Sequence, residues 1–302
     1  MTYRKQPKSP MERYTILDFE RDFPTDEACL DWLREYLYPD GIYCKVCDAV
    51  TKHHRVRSRP SYSCDRCGHH EHPTAGTIFH GSRTPLRLWF RAIFLMASTR
   101  CGISAKAIER DLGVTYKTAW RMFHQIRELL AEEVTNLDGT VEVDETYIGG
   151  KPRKHTSDHS KAMRDWQAKK VTVQGMVERG GRVRAVVNPT SPLAGNVVEH
   201  VLPSAMVFTD EAAHYSRLYA HGYLHRRIHH ARKVYVFGNV HTNTIEGFWS
   251  LVKRGISGTY HNVSEKYLQM YLDEFGFRYN HRMDVQPMFE TFLRQIVKAT
   301  TD

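Results

Sequence analysis

VEVDETYIGGK (141–151) is the stretch on which the reading of the chain turns. It begins as a β-strand, closes on the pair Gly149-Gly150, and carries Glu142, Asp144 and Glu145 within four residues. A strand that looks buried needs a physical reason to end in carboxylates, because neighbouring carboxylates repel and raise one another's pKa. Around it the chain turns to strand patterns from Gly139 onward: TVEVDETYI, then KKVTVQGMVER and GRVRAVVNP with Gly180-Gly181 as the turn between them. A short helical stretch from Leu193 to His200 follows, and then AMVFTDEA, a second apolar run ending on acids.

The β-β-β-α-β order, with strands closing on Asp144 and Asp210, is that of a ribonuclease-H-like sheet, in which central neighbouring strands bring their acidic ends together. A shared divalent metal relieves the repulsion between such carboxylates, so the strand ends in acids as half of a metal site. Taken singly, either acid would serve equally well as a turn residue. In HTNTIEGFWSLVKRGI a helix begins near Asn243, which sets Glu246 and Lys253 on one face and Phe248 and Leu251 on another. Asn243 reads as a neighbour or cap of that helix. The charged run KPRKHTSDHSKAMRDWQAKK, between the first two strands, reads as a loop that either contacts nucleic acid or is solvated.

Upstream, CKVC (Cys44, Cys47) and CDRC (Cys64, Cys67) have the spacing of a zinc ribbon, each turn presenting two sulfurs to one tetrahedral ion. With that shell complete, His53, His54, His69, His70 and His72 fall to the surface or to a nucleic-acid face. Between the pairs, Lys52, Arg55, Arg57 and Arg59 suit either a phosphate backbone or a solvated hairpin. Cys29 and Cys101 read as small buried hydrophobes. Thr84 and Pro85 predict the cap and first turn of a core helix built on Leu86, Trp89, Phe90, Ile93, Phe94 and Ala97. GISAKAIERDLGVTYKTAWRMFHQIRELL then reads as a helix-turn-helix: one helix from Ser104 to about Asp111, a turn at Gly113, and a second helix near Thr115. Tyr116, Lys117, Thr118 and Arg121 at the exposed start of the second helix are the groove-facing candidates.

Composition agrees with a nucleic-acid partner. Lys and Arg outnumber Asp and Glu by 43 to 34, alongside 18 His and 16 Tyr, and 41% of the 302 residues are hydrophobic, enough for a real core. LRLWFRAIFLMAS, the greasiest segment, is interrupted by Arg87 and Arg91, so neither a membrane span nor secretion is expected. The expected class is α/β: an N-terminal helix and zinc ribbon over 15–80, a helical helix-turn-helix region over 84–134, and a ribonuclease-H-like catalytic domain over 139–298.

VDETYIGG, the acid in VFTDEA, the 35 residues between Asp210 and Glu246, NTIEGFWSLVKRGI and GTYHNVSEKYLQMYLDEFGFRYNHR together resemble bacterial insertion-sequence transposases of the DDE class, in the ISXO-type subgroup with a zinc ribbon. The resemblance runs from about Phe23 to about Arg282. It implies two catalytic Mg²⁺ ions, with Mn²⁺ as an alternative, on Asp144, Asp210 and Glu246, and Lys253 on a phosphate of the element end. It also implies structural Zn²⁺, terminal inverted repeats and target DNA as partners, a homo-oligomer in the DNA complex, and a cytoplasmic, nucleoid-associated location. A ribonuclease-H-like nuclease or domesticated derivative, and a zinc-ribbon DNA-binding regulator, are the rival classes. The regulator would have no use for three spaced acids followed by a lysine.

Overall fold

Two units divide the chain, one holding residues up to Leu130 and from Met283 onward, the other running from Ala131 to Arg282. The computed structural model describes residues 11–134, 136–149, 170–187, 193–209, 213–227 and 241–298. Asp210 and Glu211 lie outside the described residues, as does the charged run after Gly150 except for its last residue, Lys170.

In the first unit, α1 (Ile16–Asp22) starts at a capping box between Thr15 and Asp18, and α2 (Asp26–Leu37) starts at Thr25, whose hydroxyl accepts the Ala28 N–H. The ribbon follows as β1 (Tyr43–Cys44), β2 (Ala49–Val50), β3 (His53–Val56), β4 (Ser61–Cys64) and β5 (His70–Glu71). They form an antiparallel β1–β2 pair and a three-stranded β3–β4–β5 sheet. The core helix, α3 (Leu86–Ser98), buries Trp89, Phe90, Ile93, Phe94 and Ala97 as the periodicity predicts. Its start differs from expectation. Pro85 occupies the cap position and makes no side-chain bond, Thr84 does not cap, and Asp26 Oδ1 accepts the Arg87 N–H at 2.7 Å. A carboxylate from another helix therefore satisfies an amide that a local cap would have taken. The last helix, Met288–Lys298, contributes Phe289, which lies 5.9 Å from the ring of Phe19, 5.8 Å from Phe23 and 5.8 Å from Phe94.

α4 (Ala105–Leu112) and α5 (Tyr116–Glu128) are delimited by purely local chemistry. The hydroxyl of Ser104 accepts the Ala107 N–H, Gly113 closes α4 at φ 65°, and the hydroxyl of Thr115 accepts the Thr118 N–H. Ile108, Ala119 and Met122 are fully buried between the helices and their neighbours.

In the second unit, β6 (Thr140–Ile148), β7 (Val171–Glu178) and β8 (Val183–Val187) form an antiparallel meander. α6 (Ala194–His200) then leads to β9 (Met206–Thr209), and a 3₁₀ segment (Ala213–His221) leads to β10 (Leu224–Arg227). The sheet order is β10-β9-β6-β7-β8, with β9 parallel to β6 and β10 parallel to β9. α7 (Asn243–Arg254) runs directly into a π-helical turn (Gly255–Tyr260), and α8 (Glu265–Asn280) follows.

The alternation of VEVDETYI resolves into two faces. Val141 and Val143 pack with Ala194, Val197, Val201 and Val207 on the α6 side. The opposite face of the sheet packs Val173 and Val177 against Ile245, Phe248, Trp249 and Val252 of α7 and Leu268 and Leu272 of α8. Glu142 and Asp144, two residues apart on β6, share this α7 side. Gly175 stands opposite Asp144 in the β6–β7 ladder, and a Cβ at that position would lie 2.4 Å from Trp249 Cζ2. The missing side chain is what lets α7 lie close to the sheet at the level of Asp144.

Candidate metal centre and nucleic-acid interface

Asp144, half-buried on β6, and Glu246 and Lys253, exposed on α7, line one open cleft of about 580 Å³. Glu145, Thr146, Trp249, Ser250, Arg254 and Ser257 complete its walls. Two turns of helix separate Glu246 from Lys253, so both face the cleft, while Phe248 and Val252 between them are buried against the sheet. Asn243, the first residue of α7, is exposed and is not part of the wall. Asp210 directly follows β9, which lies parallel beside β6 with Phe208 opposite Glu142. The donor set is carboxylate oxygen, which suits a hard dication such as Mg²⁺ or Mn²⁺. Lys253 and Arg254 bring positive charge to the same opening, where it can meet a phosphate.

Several residues that support this cleft were not assigned a role from sequence. Thr242, buried ahead of α7, donates its hydroxyl to Glu246 Oε1 at 3.2 Å. Glu142, noticed only as a neighbour of Asp144, is fully buried. Its Oε2 accepts the N–H groups of Thr244 (2.8 Å) and Ile245 (3.1 Å), and its Oε1 accepts from Thr244 Oγ1 (2.9 Å) and Arg179 Nε (2.6 Å). The usable signal was the i, i+2 spacing from Asp144, which puts a second carboxylate on the same strand face, where burial demands partners.

In the ribbon, Cys44, Cys47, Cys64 and Cys67 bring their sulfurs within 4.8 Å of one another. Cys44 Sγ and Cys67 Sγ are 3.5 Å apart, and Cys47 Sγ and Cys64 Sγ 3.8 Å. Four sulfurs about 2.3 Å from a central zinc stand about 3.8 Å from each other at tetrahedral angles, so the cluster fits that ion. The Thr51 hydroxyl, 3.2 Å from Cys64 Sγ, is the main cause that draws the Cys64 thiol down to about 5. Contact with Cys67, followed by burial, pushes Cys47 up to about 12. Crowded sulfurs resist carrying charge together, a resistance that a bound dication removes. The nearby histidines are engaged elsewhere: His53 with the Thr51 carbonyl, His54 with Asp65, and His70 with Ser61.

Arg55, directed to DNA or solvent by the sequence reading, instead turns inward. Its Nη1 donates to the carbonyls of Val56, Arg59 and Ser61 and so cinches the hairpin, while Arg57 and Arg59 remain exposed. These two arginines, with His72, His80 and Arg83, line a groove of about 670 Å³ whose lining also includes Asp26 and Glu27. On α5, Tyr116, Lys117 and Arg121 are exposed and Thr118 is half-buried. Trp120, unassigned from sequence, is 36% exposed on the same helix, its ring tilted at 46° to that of His124 with the centroids 4.0 Å apart.

Comparison with known proteins sets the class. Residues 24–70 match the transposase zinc-ribbon domain and residues 136–280 match the ISXO2-like transposase domain. An uncharacterized protein in the transposable element ISH50 of Halobacterium salinarum is 26% identical over 273 residues, covering 85% of this chain and 92% of that protein. No solved structure matches. The chain belongs to the ISXO2-like transposases of insertion sequences, with their zinc ribbon ahead of a mixed α/β transposase domain. No helix among the described residues is long and apolar enough to cross a membrane.

Proposed function

We propose that this transposase binds the terminal inverted repeats of its element and catalyses metal-dependent DNA strand cleavage and strand transfer in the cleft between β6 and α7. The observation that carries the reading is the meeting of Asp144, Glu246 and Lys253, three residues from two distant segments, in one cleft. A ribonuclease-H-like fold for the second unit is supported by its sheet order, a three-stranded antiparallel meander with two parallel strands added beside the first. In this reading Asp144, Asp210 and Glu246 hold two Mg²⁺ or Mn²⁺ ions. When bound, such ions supply Lewis acidity and an activated oxygen nucleophile for in-line displacement at phosphorus.

The chain's own residues do the remaining work. Thr242 orients the Glu246 carboxylate, Lys253 holds a phosphate of the element end as a point charge, and Trp249 floors the cleft with a rigid ring. The zinc held by the four cysteines supplies the ribbon with folding energy that so small a module lacks. α4 and α5 act as a helix-turn-helix with Tyr116, Lys117, Thr118 and Arg121 toward the major groove, and Arg57, Arg59 and Arg83 hold phosphates along the ribbon groove. A homo-oligomer working in the cytoplasm on the nucleoid completes the proposal.

A labelled duplex carrying the element end tests it. With Mg²⁺, the parent should nick at the boundary and join the freed 3′-hydroxyl to target DNA, whereas Asp144→Ala, Asp210→Ala and Glu246→Gln should each lose both reactions by several orders of magnitude and retain repeat binding. Full cleavage by Asp144→Ala and Glu246→Gln would remove the cleft from the chemistry.

A further inference from the structure

We propose that Glu142 is a positioning residue for the metal centre, a buried carboxylate that fixes the helix bearing Glu246 against the strand bearing Asp144. The proposal rests on the reading of the β6–α7 cleft as that centre. A helix leaves its first amides without partners, and the residue at the cap position ordinarily supplies an oxygen for them. Thr242 holds that position on α7, yet its side chain makes no capping bond, and its φ of −114° and ψ of 21° differ from the extended geometry of a capping threonine. The amides of Thr244 and Ile245 go instead to Glu142 Oε2, across more than a hundred residues of sequence.

This exchange has a consequence for Glu246. Relieved of capping, the Thr242 hydroxyl donates to Glu246 Oε1. Glu142 is in turn held on its other oxygen by Arg179 Nε and Thr244 Oγ1, with His241 Nδ1 at 3.3 Å. Arg179 also donates Nη2 to the His241 carbonyl at 2.7 Å, so the segment entering α7 is tied to the end of β7 as well. Asp144 lies two residues beyond Glu142 on the same strand face, and Glu246 directly follows the capped amide of Ile245. One carboxylate therefore sets both the height of α7 along the strand and the freedom of Thr242 to orient Glu246. A negative charge at a helix N-terminus is also favoured by the helix dipole, which makes Glu142 a better anchor there than a neutral amide.

Mn²⁺ binding to the full-length protein, read by electron paramagnetic resonance below the unfolding transition, separates positioning from plain stability. Glu142→Gln keeps the volume but presents an amide with one acceptor oxygen, and it should weaken Mn²⁺ binding roughly 10–100-fold while circular dichroism shows a folded chain. Thr244→Val, which removes only the hydroxyl bond, should give a smaller loss in the same direction and serves if Glu142→Gln does not fold. Asp144→Ala is the arm for the underlying reading. If it leaves Mn²⁺ binding at the cleft unchanged, the cleft is not the metal centre. If Asp144→Ala abolishes binding while folded Glu142→Gln and Thr244→Val both bind Mn²⁺ like the parent, Glu142 only stabilises the fold and the inference is overturned.

Discussion

Replacing Gly175 with alanine asks whether the close approach of α7 to the sheet shapes the cleft. The added Cβ would stand 2.4 Å from Trp249 Cζ2, 2.8 Å from its Cη2 and 2.8 Å from Ile245 Cδ1. Carbon atoms in ordinary contact sit about 3.6 Å apart, so the indole must retreat by about 1.2 Å. Trp249 is 3% exposed and Ile245 fully buried, so neither side chain can swing into solvent, and α7 has to move with them. Overpacking of this kind costs about 1–3 kcal/mol, offset by about 0.5–1 kcal/mol because alanine is the better strand residue, for a net loss centred near about 1 kcal/mol and at most about 2.5 kcal/mol. Urea unfolding followed by circular dichroism measures it. Trp249→Phe withdraws both clashing indole atoms, so the double variant should be more stable than the sum of the single losses by about 1 kcal/mol. Because Asp144 is the ladder partner of Gly175, a displacement near 1 Å should also lower cleavage about 100-fold in Gly175→Ala. Parental stability and activity in Gly175→Ala, or strict additivity in the double variant, would refute the reasoning.

Three further outcomes are expected. Cys64→Ser should lose the single zinc per chain, measured by metal analysis, and with it the ribbon's share of folding energy, on the order of 10 kcal/mol. Lys117→Ala with Arg121→Ala should weaken repeat binding and reduce the slope of log affinity against log salt by roughly one unit for each phosphate no longer neutralised, whereas Asp144→Ala should leave the slope unchanged. Burial first, and Arg127 second, hold His124 down to about 4 in the folded chain. The unfolded chain then binds more protons below pH 6.5, so stability complete at neutral pH falls as the pH drops toward 4, by about 2 kcal/mol at pH 5. Urea midpoints at pH 7 and pH 5 should show that fall in the parent and a smaller one in His124→Phe.

What was legible in the sequence was local. The two CxxC turns, the caps Ser104 and Thr115 and the left-handed Gly113 act within a few residues of themselves, and the two-residue period of VEVDETYI assigns Val141 and Val143 to one face and Glu142 and Asp144 to the other. Contacts between distant segments left no such mark. α3 is capped by Asp26 and not by the adjacent Thr84, and α7 by Glu142 and not by Thr242, because an amide accepts whichever carboxylate the tertiary fold delivers. Arg55 resembled its exposed neighbours Arg57 and Arg59 until the hairpin folded its guanidinium onto three carbonyls. The last helix has an amphipathic period that any core could accept, and only packing shows that Phe289 joins Phe19 and Phe23. A glycine inside the strand KKVTVQGMVER was a visible clue to a close approach, but Trp249, which makes that approach, lies 74 residues further on.

Whether the cleft between β6 and α7 holds the catalytic metal is tested most directly by the anomalous scattering of Mn²⁺ in crystals of the transposase bound to its element-end duplex. Two manganese peaks within about 2.2 Å of carboxylate oxygens of Asp144, Asp210 and Glu246, with an element-end phosphate beside Lys253, are expected. Manganese bound only outside that cleft, with DNA seated and the cleft carboxylates free of metal, would contradict the assignment.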